Sequence, residues 1–203
     1  EAANVLVIGG GIVGSNAARL ASGLGANVYI LDINHDNLRY LDDTMPPNVH
    51  TIYSNRHTLV ELLPKIDILI GAVLVVGAKA PKIIDRKLLS IMQPGSVVVD
   101  VSVDQGGCVE TTKPTTHENP TFIEENITHY CVANMPGAVP YTSTMALCNA
   151  TFKYVKEIAN NGLDSFKTNQ SLLKGLNVYK GKITHEAVAN SFDLKYVNPL
   201  SLL

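Results

Sequence analysis

Three glycines at fixed spacing and one carboxylate carry the first chemical signal in this sequence. Val5-Leu6-Val7-Ile8 is apolar and mostly β-branched, and Gly9-Gly10-Gly11-Ile12-Val13-Gly14 follows it at once. In a strand–turn–helix setting Gly9 permits the tight turn, Gly11 lets a pyrophosphate approach the backbone, and Gly14 lets helix and strand pack closely. A helix starting at Ile12 would offer free N–H groups and about half a positive charge to phosphates. A second run, residues 27–31, ends at Asp32, 18 residues beyond Gly14. A carboxylate there accepts hydrogen bonds from ribose hydroxyls and repels a 2′-phosphate. The pattern therefore predicts a dinucleotide site that takes NAD in preference to NADP. The plainer role for Asp32 is a cap on the helix that follows.

In an open parallel sheet the ligand lies across the carboxyl ends of the strands, so residues that follow later apolar runs are the next candidates. Gly71-Ala72-Val73-Leu74 supplies small residues that leave room for a ribose or nicotinamide. Asp104, followed by Gln105-Gly106-Gly107, could handle a proton, hold a cationic substrate group, or cap local N–H groups. Asn134 could bond the nicotinamide or its ribose, or form an Asx-turn before Pro136. His117, Lys79 and Lys113 read first as solvated loop side chains. Cys108, Cys131 and Cys148 are odd in number and have no metal or redox spacing, and the six histidines form no ligand cluster. Reduced thiols and no bound metal are the expectation.

The elements that must position these residues are legible in outline. Short apolar runs at 5–8, 27–31, 49–53, 66–72, 96–101 and 128–132 are apolar on both faces, as parallel strands covered on both sides are. Segments 12–24, 34–43, 58–63 and 82–92 have helical length or spacing. The alternation predicts an α/β, doubly wound parallel sheet of the Rossmann type. Residues 105–125, rich in Gly, Thr, Pro and Asn, read as one long loop. A long helix follows from about 142 to 159, with hydroxyl residues Thr142, Ser143 and Thr144 at its start and Asn161-Gly162 at its end as cap signals. Its apolar face reads first as core packing against the sheet and second as an interface. The tail adds a short helix, a hairpin at 176–183 turning at Lys180-Gly181, and another short helix. The expected division is 1–140 as the nucleotide-binding domain and 141–203 as a C-terminal segment.

Composition excludes several classes. Of 203 residues, 46% are apolar and 17% charged, with a formal net charge of −2, so there is no basic footprint for a nucleic-acid partner. The longest apolar stretch, 66–76, falls short of the ~20 residues that span a bilayer. No signal-peptide pattern opens the chain, and the three cysteines read as reduced thiols of a cytoplasmic protein. The chain begins with Glu1, not Met, and reaches its first apolar run within five residues. It therefore reads as a piece of something longer.

Taken together, several stretches resemble bacterial alanine dehydrogenases. They are Gly71 to Pro81, Val101-Ser102-Val103-Asp104-Gln105-Gly106-Gly107, Pro114-Thr115-Thr116-His117, and Val132 to Pro140 followed by Thr142-Ser143-Thr144. The likeness continues through Gly175-Leu176-Asn177-Val178 and covers essentially the whole chain. It implies NAD-dependent, reversible oxidative deamination of L-alanine to pyruvate and ammonium by a homo-oligomer, typically a hexamer. It also implies that Asp104 is the acidic catalytic residue. Cofactor-contacting positions then fall at Gly9, Gly11, Ile12, Gly14, Asp32, Ser54, Val73, Leu74, Val101, Ser102, Val103, Asp104, Lys113, Val132, Ala133, Asn134 and Met135. Asn37 departs from the basic residue common at its place, Val76 from a frequent proline, and Ser102 from a small apolar residue.

In the resemblance, the carboxylate anchor and second proton carrier come from an N-terminal substrate domain that these 203 residues lack. The chain alone is thus expected to bind NAD without turning over alanine. Two other readings compete: the nucleotide-binding part of a proton-translocating transhydrogenase, and a non-catalytic NAD-binding module. The Asp104 to Gly107 and Asn134 to Gly137 stretches favour the dehydrogenase.

Overall fold

Strand β1 (Asn4–Ile8) shows why the sheet is covered on both sides. Leu6 and Ile8 point into one apolar cluster with Leu31, Leu59, Leu69, Leu89 and Val98. Val5 and Val7 point into a second with Ala18, Val28, Ile30 and Leu41. Alternate residues of a strand face opposite sides, so an uninterrupted apolar run needs a core on each. The computed structural model describes residues 1–203.

The elements of the first unit follow in chain order: α1 (Ile12–Gly23), β2 (Asn27–Asp32), α2 (His35–Thr44), β3 (Val49–Tyr53), α3 (Arg56–Leu62), β4 (Ile68–Gly71), α4 (Arg86–Leu89), β5 (Val97–Asp100), β6 (Thr121–Glu124) and β7 (Ile127–Tyr130). The sheet runs β3-β2-β1-β4-β5-β7-β6. The first six strands of that order are parallel, and β6 lies antiparallel on β7. Strand order reverses between β1 and β4, which opens a crevice at their carboxyl ends. The α/β, Rossmann-type sheet expected from the sequence is the architecture found.

Two details correct the sequence reading. The stretch 105–125 is not one loop, because it ends in β6. Glu125 and Asn126 both have positive φ, 53° and 60°, and join β6 to β7 in a two-residue turn. Such turns suit the twist of paired strands and tolerate Asn well. Segment 82–92 contracts to the single helical turn of α4, which starts where the Asp85 carboxylate accepts the Leu88 N–H at 2.8 Å.

The chain divides into two compact units, Glu1–Val75 with Lys79–Met135, and Val76–Ala78 with Pro136–Leu203. The second is dominated by α5 (Pro140–Asn161), followed by α6 (Asp164–Thr168), α7 (Gln170–Gly175), the hairpin β8 (Val178–Tyr179) and β9 (Lys182–Ile183), and α8 (Glu186–Ser191). The hydroxyl residues do not cap α5. Pro140 stands at its first position with no side-chain cap, and Ser143 Oγ donates instead to the Pro136 carbonyl at 2.8 Å. Proline's preset φ and missing N–H suit a helix start, so α5 begins two residues early. Gly162, at φ 56°, ends it as expected.

None of the 22 residues of α5 is buried, and Leu147 and Phe152 are each 65% exposed. Within its own unit the helix is thus only partly covered. Its unit offers only short elements to cover it, and they leave an apolar groove of about 550 Å³ lined by Val155, Ile158, Phe166, Leu172 and Leu176. No helix of the chain is long and apolar enough to cross a membrane.

Candidate nucleotide site

The glycine loop is shaped by contacts that only glycine allows. Gly9 has φ 98°, and its N–H donates to the Leu31 carbonyl at 2.8 Å. A Cβ at Gly14 would stand 1.8 Å from the Gly9 carbonyl oxygen, so any side chain there would drive α1 off β1. At Gly11 the opposite holds: a Cβ would meet nothing within 4 Å. The loop is tight on its sheet side and open on its outer side. Gly11 precedes α1 without a capping side chain, and no acidic residue occupies the first turn. The first-turn N–H groups and the positive end of the helix thus face open space, as a pyrophosphate needs.

Asp32 ends β2 and ties this loop down. Its Oδ2 accepts the Gly10 N–H at 2.8 Å and the Asn37 amide at 2.9 Å, and its Oδ1 accepts the Asn34 N–H at 2.9 Å. Asn34, not Asp32, caps α2, through the N–H groups of Asp36 and Asn37. Asn37 also donates to the Gly10 carbonyl at 3.1 Å. The carboxylate is oriented from three sides, with acceptor capacity left on Oδ1. Ser54 sits beside it, its N–H on the Asp32 carbonyl at 2.9 Å, and Tyr53 stacks on His35 with centroids 4.8 Å apart.

Across the crevice, β4 leads into Ala72, Val73 and Leu74, with Leu74 exposed. β5 leads into a 3-10 turn, Val101–Gln105. Its organiser is Asp100, fully buried, whose carboxylate accepts the N–H groups of Ser102 (3.0 Å), Cys108 (2.9 Å) and Val109 (3.2 Å) and the Thr112 hydroxyl (2.9 Å). Lys82 donates from outside to the carbonyls of Gly106 and Val109. Ser102 and Val103, expected to touch the cofactor, have buried side chains, and Ser102 Oγ donates to the Val73 carbonyl at 2.8 Å. They hold the turn in shape. Asp104 is the residue the turn exposes.

Asp104 caps nothing local. Its Oδ2 accepts the Asn134 N–H at 3.1 Å, across 30 residues of sequence. Asn134 follows β7, and it forms no Asx-turn: its backbone is left-handed at φ 52°, and its carboxamide bonds nothing in the chain. Val132 is buried beside it, while Ala133 is held by an N–H bond to the Thr115 carbonyl. His117 Nε2 lies 3.2 Å from the Asn134 carbonyl oxygen. A loop histidine that read as solvated is thus drawn to the same place as Asp104. Lys113 rests its ammonium over the Phe122 ring, 4.5 Å from the centroid.

The family model described as alanine dehydrogenase/PNT, C-terminal domain, matches residues 1–186. The chain belongs to this family. It is 52% identical over 202 residues to an alanine dehydrogenase of Halomonas elongata, covering 99% of this chain and 54% of that protein. A solved L-alanine dehydrogenase superposes with a TM-score of 0.83 at 48% identity, over 94% of this chain and 53% of its own. A transhydrogenase from Sinorhizobium meliloti superposes at 0.70 with 22% identity, over 91% of this chain and 50% of its own, a likeness of fold. The chain spans about half the length of the relatives it matches. Family and fold together imply a nicotinamide nucleotide as cofactor.

Two thiols beside this site, Cys108 and Cys131, are buried. Burial, and then the nearby Asp100 charge, push the Cys108 thiol up to about 12 and that of Cys131 to about 11. His129 in β7 is fully buried. Its Nδ1 faces the Ile127 carbonyl at 3.0 Å and so carries the hydrogen, leaving Nε2 to accept from the Thr111 hydroxyl at 2.8 Å. Burial holds its pKa below the usual histidine value.

Proposed function

We propose that this chain is the NAD-binding and C-terminal part of an alanine dehydrogenase, serving the reversible oxidation of L-alanine and water to pyruvate and ammonium. The observation that carries the reading is the glycine loop with Asp32 bonded to it through the Gly10 N–H. Bound NAD supplies the acceptor for the hydride that leaves the substrate α-carbon. The chain's own residues hold the nucleotide and supply one proton-handling group. Gly11 and the first turn of α1 receive the pyrophosphate, and Asp32 Oδ1 receives a ribose hydroxyl. The negative charge of Asp32, with neutral Asn37 as its partner, disfavours a 2′-phosphate and hence NADP.

Asp104 is the proton-handling group of this reading. Its Oδ2 is engaged by the Asn134 N–H, which leaves Oδ1 to exchange a proton with the substrate amine or the developing hydroxyl. Asp104→Asn keeps that bond and removes the base, so in the full-length enzyme kcat should fall by about 10²- to 10⁴-fold with NADH affinity nearly unchanged.

Residues 141–203 belong, in the same proposal, to a substrate domain completed by sequence outside this chain. The open apolar face of α5 and the twofold greater length of the relatives support this. The 203 residues should then bind NAD and leave alanine untouched. The test is an amino-acid panel with NAD and NADP on the full-length gene product, with light scattering to read the expected homo-oligomer. Oxidation of no amino acid would sink the functional reading and leave the fold intact.

A further inference from the structure

We propose that His117 is a positioning residue for the second half of the nucleotide site, acting through the backbone of Asn134. The inference rests on the nucleotide reading above and deepens it. With Asp32 at the end of β2 and the glycine loop at the end of β1, a dinucleotide laid across the strand ends directs its far, nicotinamide half toward β5 and β7. Asp104 and Asn134 stand there.

His117 reaches that place by construction. Thr115 is bonded alongside the end of β7, its N–H on the Cys131 carbonyl at 2.9 Å and its carbonyl on the Ala133 N–H at 3.0 Å. The turn beyond is closed by Thr115 Oγ1 on the Pro120 carbonyl at 2.9 Å and by the Asn119 N–H on Thr116 Oγ1 at 3.2 Å. The imidazole is thereby delivered to the Asn134 carbonyl at 3.2 Å. A carbonyl oxygen only accepts, so Nε2 carries the hydrogen.

Asn134 is therefore gripped from both sides. Asp104 takes its N–H at 3.1 Å, and His117 donates to its carbonyl. Between those two bonds lies a residue in the left-handed region, at φ 52°, which asparagine adopts more readily than most side chains do. Its carboxamide has no partner in the chain and projects from this held backbone, free to meet a ligand amide. His117, Asn134 and Asp104 are all exposed, so these bonds contribute little to folding. What they fix is orientation.

The test uses the full-length gene product with two ligands, NADH and ADP-ribose, the second lacking the nicotinamide. NADH fluorescence and calorimetry give the affinities. His117→Ala should weaken NADH about five- to tenfold while ADP-ribose stays within about twofold, and His117→Gln, which retains an N–H donor, should recover most of the loss. Unchanged NADH affinity in His117→Ala overturns the role, as does an equal loss for both ligands. If the unaltered protein binds neither ligand, the nucleotide reading fails, and the positioning role with it.

Discussion

The glycine loop and the Asp104 turn both cap parallel strands of one sheet, yet they are held by different kinds of force. The first is sterically determined: Gly14 lies so close to Gly9 that the geometry admits no side chain, and one carboxylate, Asp32, closes it within 22 residues of sequence. The second is determined by hydrogen bonds to a buried charge. Asp100 gathers donors from 102, 108, 109 and 112, and Asp104 reaches across to Asn134. A steric loop tolerates loss of a polar partner and no added atom. A polar hub tolerates small changes of shape and no loss of charge, because buried donors without acceptors are costly.

The contrast can be broken most directly at Gly14. Gly14→Val should abolish ADP-ribose binding, a loss of at least ~100-fold by calorimetry, since the new Cβ would fall 1.8 Å from a carbonyl oxygen. Near-normal affinity would mean that α1 can slide away and that sterics do not govern the loop. Asp100→Ala is the matching blow to the other side. It strands three N–H groups and a hydroxyl, and urea denaturation should show a loss of about 3–5 kcal/mol. The molecules that remain folded should bind ADP-ribose as before, because the glycine loop does not depend on that hub.

Asp32→Asn probes the single polar element of the steric loop. NADH should weaken about tenfold with little change for NADPH, narrowing the preference between them. Equal losses for both would show that Asp32 only shapes the loop. The smallest expected effect is in acid. The pKa of His129 is lowered on folding, so the unfolded chain binds the extra proton first, and stability falls as pH drops below the unfolded value of 6.5. Thermal unfolding midpoints should decline over that range, and His129→Gln should flatten the decline. An unchanged slope in the variant would assign the acid sensitivity elsewhere.

Legibility in the sequence followed the same division. Gly9, Gly11 and Gly14 were readable because local backbone geometry demands their residue type, and Asp32 because ribose recognition calls for an acid at the end of the second strand. Asp100 was not singled out, since an acid at a strand end looks like any other and only the folded turn brings the donors of residues 102 to 112 onto it. His117 read as a solvated loop residue for the same reason: its partner lies 17 residues away. The β6–β7 hairpin hid in a polar stretch whose one signal was Phe122-Ile123 ahead of Glu125-Asn126. The start of α5 was misjudged because Pro140 outweighs the hydroxyl residues that follow it.

By itself, the sequence determined the strand rhythm, the α/β class, the glycine loop and the acid that faces it. Those features rest on residue types read over a few positions, where sterics and burial leave little choice. Only the tertiary structure decided which polar groups meet at the ends of β5 and β7 and which thiols are buried. Each of these depends on distances between segments far apart in the chain. Such distances are settled by packing of the sheet, not by the residues that happen to benefit from it.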